Sequence, residues 1–189
     1  MSKLVYPSKP DLVIKNILTN EECDFLRKLT DEFQEDKSPL VQLRRDKKGL
    51  YDVDRQYWTF REFPNWFVEL HKKLCYYYDE NIHLPHHWHI MKYRRPGDGL
   101  DWHAEGRISY VSFSINLSDS DEHKGSDLEI KNRDIKLNKG DGVAYSGRTS
   151  HRVTPLVSGT KYSFVAWFKD KSRMKEIYEK PFPYDNKKK

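Results

Sequence analysis

The chain has 189 residues, of which 37% are hydrophobic and 33% charged, and a formal net charge of +5. This composition is typical of one water-soluble globular domain. No apolar run approaches the roughly 18 residues that cross a bilayer, and the opening MSKLVYPSKPD has no apolar signal core. We therefore expect no membrane span and a cytoplasmic protein, or an intracellular one in the host if the source is a virus. The mild basic excess leaves nucleic-acid contact open without arguing for it.

The first half of the sequence predicts two helices. LVIKNIL predicts a first strand, and TNEECDFLRKLTDEF predicts a helix whose capping box pairs Thr19 with Glu22. FPNWFVELHKKLCYYYDEN predicts a second helix. Residues 35–60 are charged and aromatic and are predicted to form irregular strands and loops. Cys23 and Cys75 both fall in the helical segments, which favours buried, reduced thiols.

After Pro85 the pattern changes to short strands separated by turn signals. The predicted strands are HWHIMKYRR, LDWHAE, RISYVSFSINLS, DLEIKN, DIKLN, GVAYS, SHRVTPLV and KYSFVAWF. This spacing is typical of a sandwich or jelly roll. We predict a mainly β, α+β fold with a double-stranded β-helix (jelly-roll) core. The single domain, 1–189, would comprise a helical and irregular part (about 1–85), the core (about 86–169), and a short helix with a basic tail (170–189).

One stretch of the core, LDWHAEGRISY, carries candidate metal ligands. In a strand, residues two apart point to the same face, so His103 and Glu105 would project together. His151, at the start of another predicted strand, is the best third candidate. Two histidines and one carboxylate form the facial triad of non-haem Fe(II) oxygenases. The histidines of LPHHWHIMKY lack a matching second half, so a structural zinc site there is rejected.

The following hairpin predicts a cationic partner for this site. If Val157, Ser158 and Gly159 form a three-residue loop, Gly159 takes the left-handed position and His151 pairs with Val165. His151 and Lys161 then share a face, about 13 Å apart at roughly 3.4 Å per residue. An extended lysine covers about half of that distance, and the gap left would suit a small dicarboxylate that bridges a metal and the ammonium. A two-residue loop would instead put Lys161 on the opposite face.

These residues together resemble a known family. The sequence His103-x-Glu105, then His151, then a basic residue ten positions later, resembles the 2-oxoglutarate- and Fe(II)-dependent oxygenases, and most of all their prolyl 4-hydroxylase-like group. The resemblance covers about residues 88–168, and more loosely the helix TNEECDFLRKL. KGDGVAYSGRTSHRVTP resembles the turn and strand that lead into the second histidine. The family usually has Asp at the position of Glu105, although some members use Glu.

The resemblance implies a role for each matching residue. His103, Glu105 and His151 would hold Fe(II). The co-substrate 2-oxoglutarate would chelate the metal, and its far carboxylate would contact Lys161, Tyr93 and Ser163. Alternation along the strand places His89 and Met91 on the face of Tyr93, and Trp167 matches an aromatic residue beside the co-substrate in some relatives. These last three, His89, Met91 and Trp167, are the candidates for the substrate pocket.

The reaction implied is hydroxylation of a C–H bond with dioxygen, with release of succinate and CO2 and with ascorbate as a candidate reductant. A prolyl residue of a protein or peptide is the first candidate substrate. A free amino acid or other small metabolite, or a nucleic acid, would use the same cofactors. A non-catalytic jelly-roll binding protein is the alternative of a different class, and a co-substrate clamp at Lys161 and Tyr93 argues against it. The sequence leaves the oligomeric state open.

Overall fold

A computed structural model describes residues 7, 9–32, 54–59, 65–78, 82–85, 87–106 and 109–170. The predicted C-terminal helix and basic tail lie outside these residues, apart from Asp170, which ends a strand. The predicted irregular segment 35–60 also lies outside them, apart from one strand over 54–59. The division of the chain into three parts of one domain stays a prediction.

Two helices lie in the described part of the chain, α1 (Asn20–Glu32) and α2 (Asn65–Tyr77). The predicted capping box precedes α1: the Thr19 backbone N–H donates to Glu22 Oε2 at 2.8 Å, and the Glu22 N–H donates to Thr19 Oγ1 at 3.2 Å. Both helices of the sequence-based prediction are thereby confirmed. Neither has the length or the apolarity to cross a bilayer.

Strands make up most of the described chain, and all of their pairings are antiparallel. In chain order they are β1 (Leu12–Ile14), β2 (Asp54–Thr59), β3 (Ile82–His83), β4 (His87–Tyr93), β5 (Leu100–His103), β6 (Val111–Asn116), β7 (His123–Gly125), β8 (Leu128–Ile130), β9 (Arg133–Asp134), β10 (Gly142–Ser146), β11 (His151–Val153), β12 (Leu156–Gly159) and β13 (Lys161–Asp170).

The strands form a large sheet and two small ones. The large sheet has the order β1-β10-β6-β13-β4-β2, and β3 pairs with the far end of β13. A four-stranded sheet has the order β5-β11-β8-β9, and β12 pairs with β7. One cavity is lined by β4, β6, β10 and β13 of the large sheet and by β5, β8 and β11 of the four-stranded sheet. The two sheets therefore face each other across it, and the predicted jelly roll is confirmed.

Strand β13 separates the hydrophobic core from this cavity. Its even-numbered residues Tyr162, Phe164, Ala166 and Phe168 belong to the main apolar cluster. Its odd-numbered residues Lys161, Ser163, Val165 and Trp167 line the cavity. Because successive side chains of a strand point to opposite faces, one sequence of alternating character supplies both the core and the wall of the cavity.

Helix α2 covers the apolar face of the large sheet. Phe67 is fully buried; its ring stacks on Phe168 with centroids 5.7 Å apart and meets Phe164 edge-on at 5.9 Å. Leu70 and Leu74, one turn apart, are buried in the same cluster. This spacing puts all three on one stripe of the helix. The stripe packs against β13 and so fixes the strand that carries the cavity-lining residues.

Four local predictions were wrong. SHRVTPLV is not one strand but two, β11 and β12, which pair with different partners. DIKLN forms a strand only at its first residue, within β9, and β7 lies in a segment that was predicted to be a turn. LDWHAE stays extended only as far as His103. β5 and β11 each end where the partner strand ends, which hydrophobic periodicity alone does not reveal.

We expect Phe67→Ala to lower the free energy of unfolding by about 3–5 kcal/mol, because it leaves a cavity against β13. Phe25→Ala in α1 is the matched control, since the Phe25 side chain is 60% exposed, and it should cost less than about 0.5 kcal/mol. Urea unfolding of both variants measures the difference. Equal losses would mean that α2 does not pack as described.

Candidate metal and co-substrate site

His103 and His151 face each other across two antiparallel strands. They are direct partners in the register of β5 and β11, and their ring centroids lie 4.3 Å apart. In each ring Nδ1 is bonded to a main-chain carbonyl, that of Asp101 at 2.6 Å and that of Thr149 at 3.0 Å. A neutral imidazole that donates from Nδ1 carries its lone pair on Nε2. Both rings are thus oriented as ligands through Nε2.

Glu105 completes the group from outside the strand. β5 ends at His103, and the chain turns at Gly106, whose N–H donates to the carbonyl of Gly147 at 3.0 Å. Glu105 Oε1 nevertheless lies 3.6 Å from Nε2 of both histidines. The predicted reason for the shared face, alternation along one strand, was therefore wrong, although the predicted grouping of the three side chains is what the structure has. A glutamate, one methylene longer than aspartate, has the reach that this position requires.

The carboxylate of Glu105 is held in its charged form. Burial by itself would raise its pKa, but the influence of the neighbouring side chains of His103, His151 and Trp167 outweighs burial and holds the pKa of Glu105 well below its usual range. The indole of Trp167 therefore orients a candidate ligand, which is a different role from the predicted place in the substrate pocket, although Trp167 also lines the cavity.

The three side chains fit a divalent cation. Their ligand atoms all lie within 4.8 Å of one another. Two imidazole lone pairs and a carboxylate that converge on one point repel each other unless a cation lies between them. At 3.6 Å separation, the nitrogen and oxygen atoms can each contact an ion at about 2.1 Å. Nitrogen and oxygen donors of this kind suit Fe(II) and related metals.

The opposite face of the two ligand-bearing strands is braced by a charged cluster. Arg152, next to His151, donates to both carboxylate oxygens of Glu129, at 2.7 and 3.1 Å. Its guanidinium also lies 5.0 Å above the ring of Trp102, the residue before His103. Arg152 thereby joins β5, β11 and β8 on their outer side and fixes the spacing of the two histidines.

Lys161 and Tyr93, the predicted clamp residues, are direct partners across β13 and β4. Both are buried and both line the cavity. The Lys161 ammonium donates to the main-chain carbonyl of Ser126. Burial lowers the pKa of Lys161 to about 8, an effect that nearby Asp127 only partly offsets. The structure thus places a poorly solvated cation in the same cavity as the histidines.

The hairpin that was expected to bring Lys161 beside His151 does not exist. β11 pairs with β5 and β8, whereas β13 pairs with β4 and β6. Gly159 does have the expected positive φ, of 82°. His151 and Lys161 share the cavity because the two sheets face each other across it.

The cavity has a volume of about 240 Å³. It contains His103, Glu105 and His151 together with Lys161, Tyr93 and Ser163. Of the three predicted substrate-pocket residues, Met91 and Trp167 line it. His89 does not; its buried ring meets the edge of Trp167 with centroids 4.7 Å apart.

Tyr145 and Ser126 are among the further cavity residues that sequence reasoning missed. The centroids of the Tyr145 and His151 rings lie 4.8 Å apart. Burial, and to a smaller extent the charge of Glu105, raises the pKa of the Tyr145 hydroxyl well above its usual value. The alternation of GVAYS could have indicated that Tyr145 faces inward. No comparable signal marks Ser126, which lies at an irregular point between β7 and β8.

The fold and this site define a class of protein. No family model matches the chain. Among solved structures, a viral collagen prolyl hydroxylase from Paramecium Bursaria Chlorella virus-1, in its 2-oxoglutarate complex, matches with a TM-score of 0.66 over 85% of this chain and 96% of its own, at 16% identity. A prolyl hydroxylase from Trichoplax adhaerens, in complex with a hypoxia-inducible-factor peptide, matches with a TM-score of 0.67 over 88% and 86%, at 16% identity. The chain has the jelly-roll fold of these oxygenases.

Sequence similarity points to the same group. A PKHD-type hydroxylase from Synechococcus sp. is 33% identical over 81 residues, which is 38% of this chain and 36% of the relative. The chain spans about a third of the length of the curated relatives that it matches. The predicted resemblance to the 2-oxoglutarate- and Fe(II)-dependent oxygenases, and to their prolyl 4-hydroxylase-like group, is confirmed.

We expect Glu105→Ala to weaken Mn(II) binding by about 100-fold or more, since it removes one of three ligands and the only charged one of the three. Mn(II) titration followed by electron paramagnetic resonance measures this directly. Glu122→Ala, which removes a carboxylate that pairs with Arg27, is the control and should bind Mn(II) as wild type does. Unchanged affinity in the Glu105 variant would show that the trio is not a metal site.

Lys161→Met should make the protein more stable at pH 7, by about 1–3 kcal/mol, because a lysine whose pKa falls from 10.5 to about 8 on folding opposes folding wherever it is charged. The penalty is complete below pH 8 and fades between pH 8 and 10.5, so the advantage of the variant should vanish near pH 10.5.

Urea unfolding of the Lys161 variant and wild type at pH 7 and pH 10 tests whether the variant is the more stable protein at pH 7 and whether the difference shrinks at pH 10. Lys139→Met is the control of opposite sign: although burial would lower the pKa of Lys139, hydrogen bonds with Asp24 and Asp119 raise it, so this variant should lose stability at pH 7. A Lys161 variant that is less stable than wild type at pH 7 would contradict the assignment.

Proposed function

We propose that this protein is an Fe(II)- and 2-oxoglutarate-dependent dioxygenase that hydroxylates a C–H bond. One observation carries the proposal: a cavity between the two sheets holds two correctly oriented histidines and an ionised carboxylate together with a buried lysine. Neither part alone would point to this chemistry. A metal trio is common to many enzymes, and a buried lysine by itself is only an unfavourable group.

In this proposal His103, Glu105 and His151 hold the iron. The main-chain carbonyls of Asp101 and Thr149 keep each Nε2 directed at the metal, so neither ring has to rotate when the ion binds. Glu105 supplies one negative charge, which leaves a net positive metal that attracts an anionic co-substrate. When bound, iron and 2-oxoglutarate would supply the oxidation: 2-oxoglutarate would lose CO2 and take up one oxygen atom of dioxygen to become succinate, and the other oxygen atom would enter the C–H bond of the substrate.

Lys161, Tyr93 and Ser163 hold the far carboxylate of 2-oxoglutarate. Lys161 is poorly solvated, so a carboxylate that replaces its missing hydration binds strongly and keeps it protonated. Tyr93 lies opposite Lys161 in the register, and Ser163 lies two residues along the same face of β13. The large sheet therefore contributes residues with one ammonium and two hydroxyl groups to the cavity that also contains the metal trio.

The proposed substrate is a prolyl residue of a protein or peptide. Support comes from the relatives: one solved neighbour is a collagen prolyl hydroxylase, and another was solved with a peptide fragment. In the cavity, Met91 and Trp167 provide apolar surface that suits a pyrrolidine ring, and His89 supports Trp167 from its edge. Small molecules and nucleic acid are the alternative substrates, and the substrate test includes both.

The experiment has two stages. First, apo-protein is mixed with Fe(II) and 2-oxoglutarate without oxygen, and a weak visible charge-transfer band is expected that His103→Ala abolishes. Second, oxygen is admitted and succinate is measured, alone and with arrays of proline-containing peptides, free amino acids and oligonucleotides. The proposed substrate gains one oxygen atom by mass spectrometry. Folded wild-type protein with neither the band nor succinate would overturn the proposal in favour of a binding protein.

The affinity for 2-oxoglutarate should fall as the pH rises above about 8. Lys161 loses its proton in this range, and a neutral amine no longer pairs with the carboxylate, so the dissociation constant should increase by up to about tenfold per pH unit. Anaerobic titration of the visible band at pH 7, 8 and 9 measures it. Lys161→Ala should bind weakly at every pH, with little slope; a slope equal to that of wild type would assign the titration to another group.

A further inference from the structure

Ser126 is a buried serine whose hydroxyl has no structural use in the described chain. It is 0% exposed, it lies on the wall of the cavity, and its Oγ has no hydrogen-bond partner among the described residues. Buried hydroxyl groups are normally paired, because leaving one unpaired opposes folding. A buried, unpaired hydroxyl on a residue that lines a cavity is therefore a candidate to bond a ligand there.

The backbone conformation at Ser126 is also unfavourable for a residue that has a side chain. Ser126 has a positive φ of 55°, next to Gly125 at 78°, and a residue with a Cβ is strained in that region. Hydrogen bonds of Ser126 and of the next residue hold this conformation. The Ser126 N–H donates to the carbonyl of Pro155 at 3.4 Å, and the Asp127 N–H donates to Thr154 Oγ1 at 2.9 Å. Glycine would fit this conformation without strain, so the serine side chain is unfavourable for folding on two counts.

The neighbour of Ser126 in the cavity is the candidate co-substrate clamp. The Lys161 ammonium donates to the carbonyl of Ser126 itself. An ammonium has three N–H donors, and the Ser126 carbonyl is the one acceptor that Lys161 has among the described residues. A buried cation with spare donors and a buried hydroxyl with no partner therefore belong to residues in direct contact.

The geometry points to Ser126 as a further binding residue for the far carboxylate of 2-oxoglutarate, its hydroxyl donating to one carboxylate oxygen while the Lys161 ammonium pairs with the same group. This inference rests on the proposed function. A carboxylate suits both groups, because it accepts several hydrogen bonds and carries a negative charge that can pair directly with the Lys161 ammonium. A neutral ligand would satisfy the hydroxyl but leave the ammonium unpaired.

The test is the affinity for two keto acids under anaerobic conditions with Fe(II), read from the visible band. 2-Oxoglutarate has the far carboxylate; 2-oxovalerate keeps the chelating end and lacks it. Ser126→Ala and Ser126→Gly should both bind 2-oxoglutarate about 10- to 50-fold more weakly than wild type. Their affinity for 2-oxovalerate should be unchanged, as should the position of the band, since the chelating end is not in contact with Ser126.

Two controls separate a contact from a structural effect. Ser126→Gly relieves the positive-φ strain, so it should unfold at a temperature no lower than wild type and carries the test if the alanine variant does not fold. Ser112→Ala removes a cavity-wall hydroxyl that is already bonded to Ser109 at 3.2 Å, and should leave both affinities unchanged.

The outcomes are distinct. Loss of affinity for 2-oxoglutarate alone supports the contact. Wild-type affinity in the Ser126 variants overturns it, as does an equal loss for both keto acids, which would mean that the change distorts the metal end of the site; either result leaves the proposed function standing. No binding of 2-oxoglutarate by wild-type protein would remove the proposed function and this inference together.

Discussion

Strand β13 is covered on both faces, and the rest of the structure depends on the way in which its residues alternate. On one face Phe164 and Phe168 join the core under α2; on the other Lys161 and Ser163 face the cavity. Because the strand is central to the large sheet, a shift of its register by one residue would exchange the two faces. The buried aromatics oppose any such shift, so hydrophobic packing on one side sets the positions of the polar groups on the other.

The polar groups of the cavity are individually unfavourable in the ligand-free protein. Lys161 is buried with Ser126 O as its one acceptor in the described chain, and Glu105 faces two imidazoles. Such groups persist only where the surrounding structure over-determines them. Here the framework includes the α2 packing, the Arg152–Glu129 pair behind the metal strands, and the hydrogen bonds that fix the turn at Ser126. A cation and a dicarboxylate together would neutralise most of this unfavourable charge, which is why we treat the two halves as one site.

The glutamate in place of the usual aspartate has a local explanation. Glu105 lies after the end of β5, at a turn through Gly106, and reaches back to both histidines. Trp167 from β13 holds its carboxylate from the other side. The candidate ligands come from β5, its following turn and β11, and the Trp167 indole connects them to β13, the strand that carries Lys161.

The sequence by itself determined the residue types and the periodicity of apolar and polar side chains along each element. The capping box of α1, the alternation of β13 and the candidate ligands His103, Glu105 and His151 could be read without a structure, because each depends on local spacing or on a recognised motif. It also indicated Lys161 and Tyr93 through the family resemblance. These are properties of neighbouring residues along the chain, or of a pattern that the chain carries intact.

The tertiary structure alone decided which strands meet. The sequence favoured a hairpin that paired β11 with β13, but the two strands belong to different sheets, and His151 and Lys161 share a cavity because those sheets face each other. Tyr145 and Ser126 became site residues in the same way, through contacts between segments far apart in the chain. Strand pairing depends on closure of the whole barrel and on burial of its faces, and neither property is present in any single segment of the sequence.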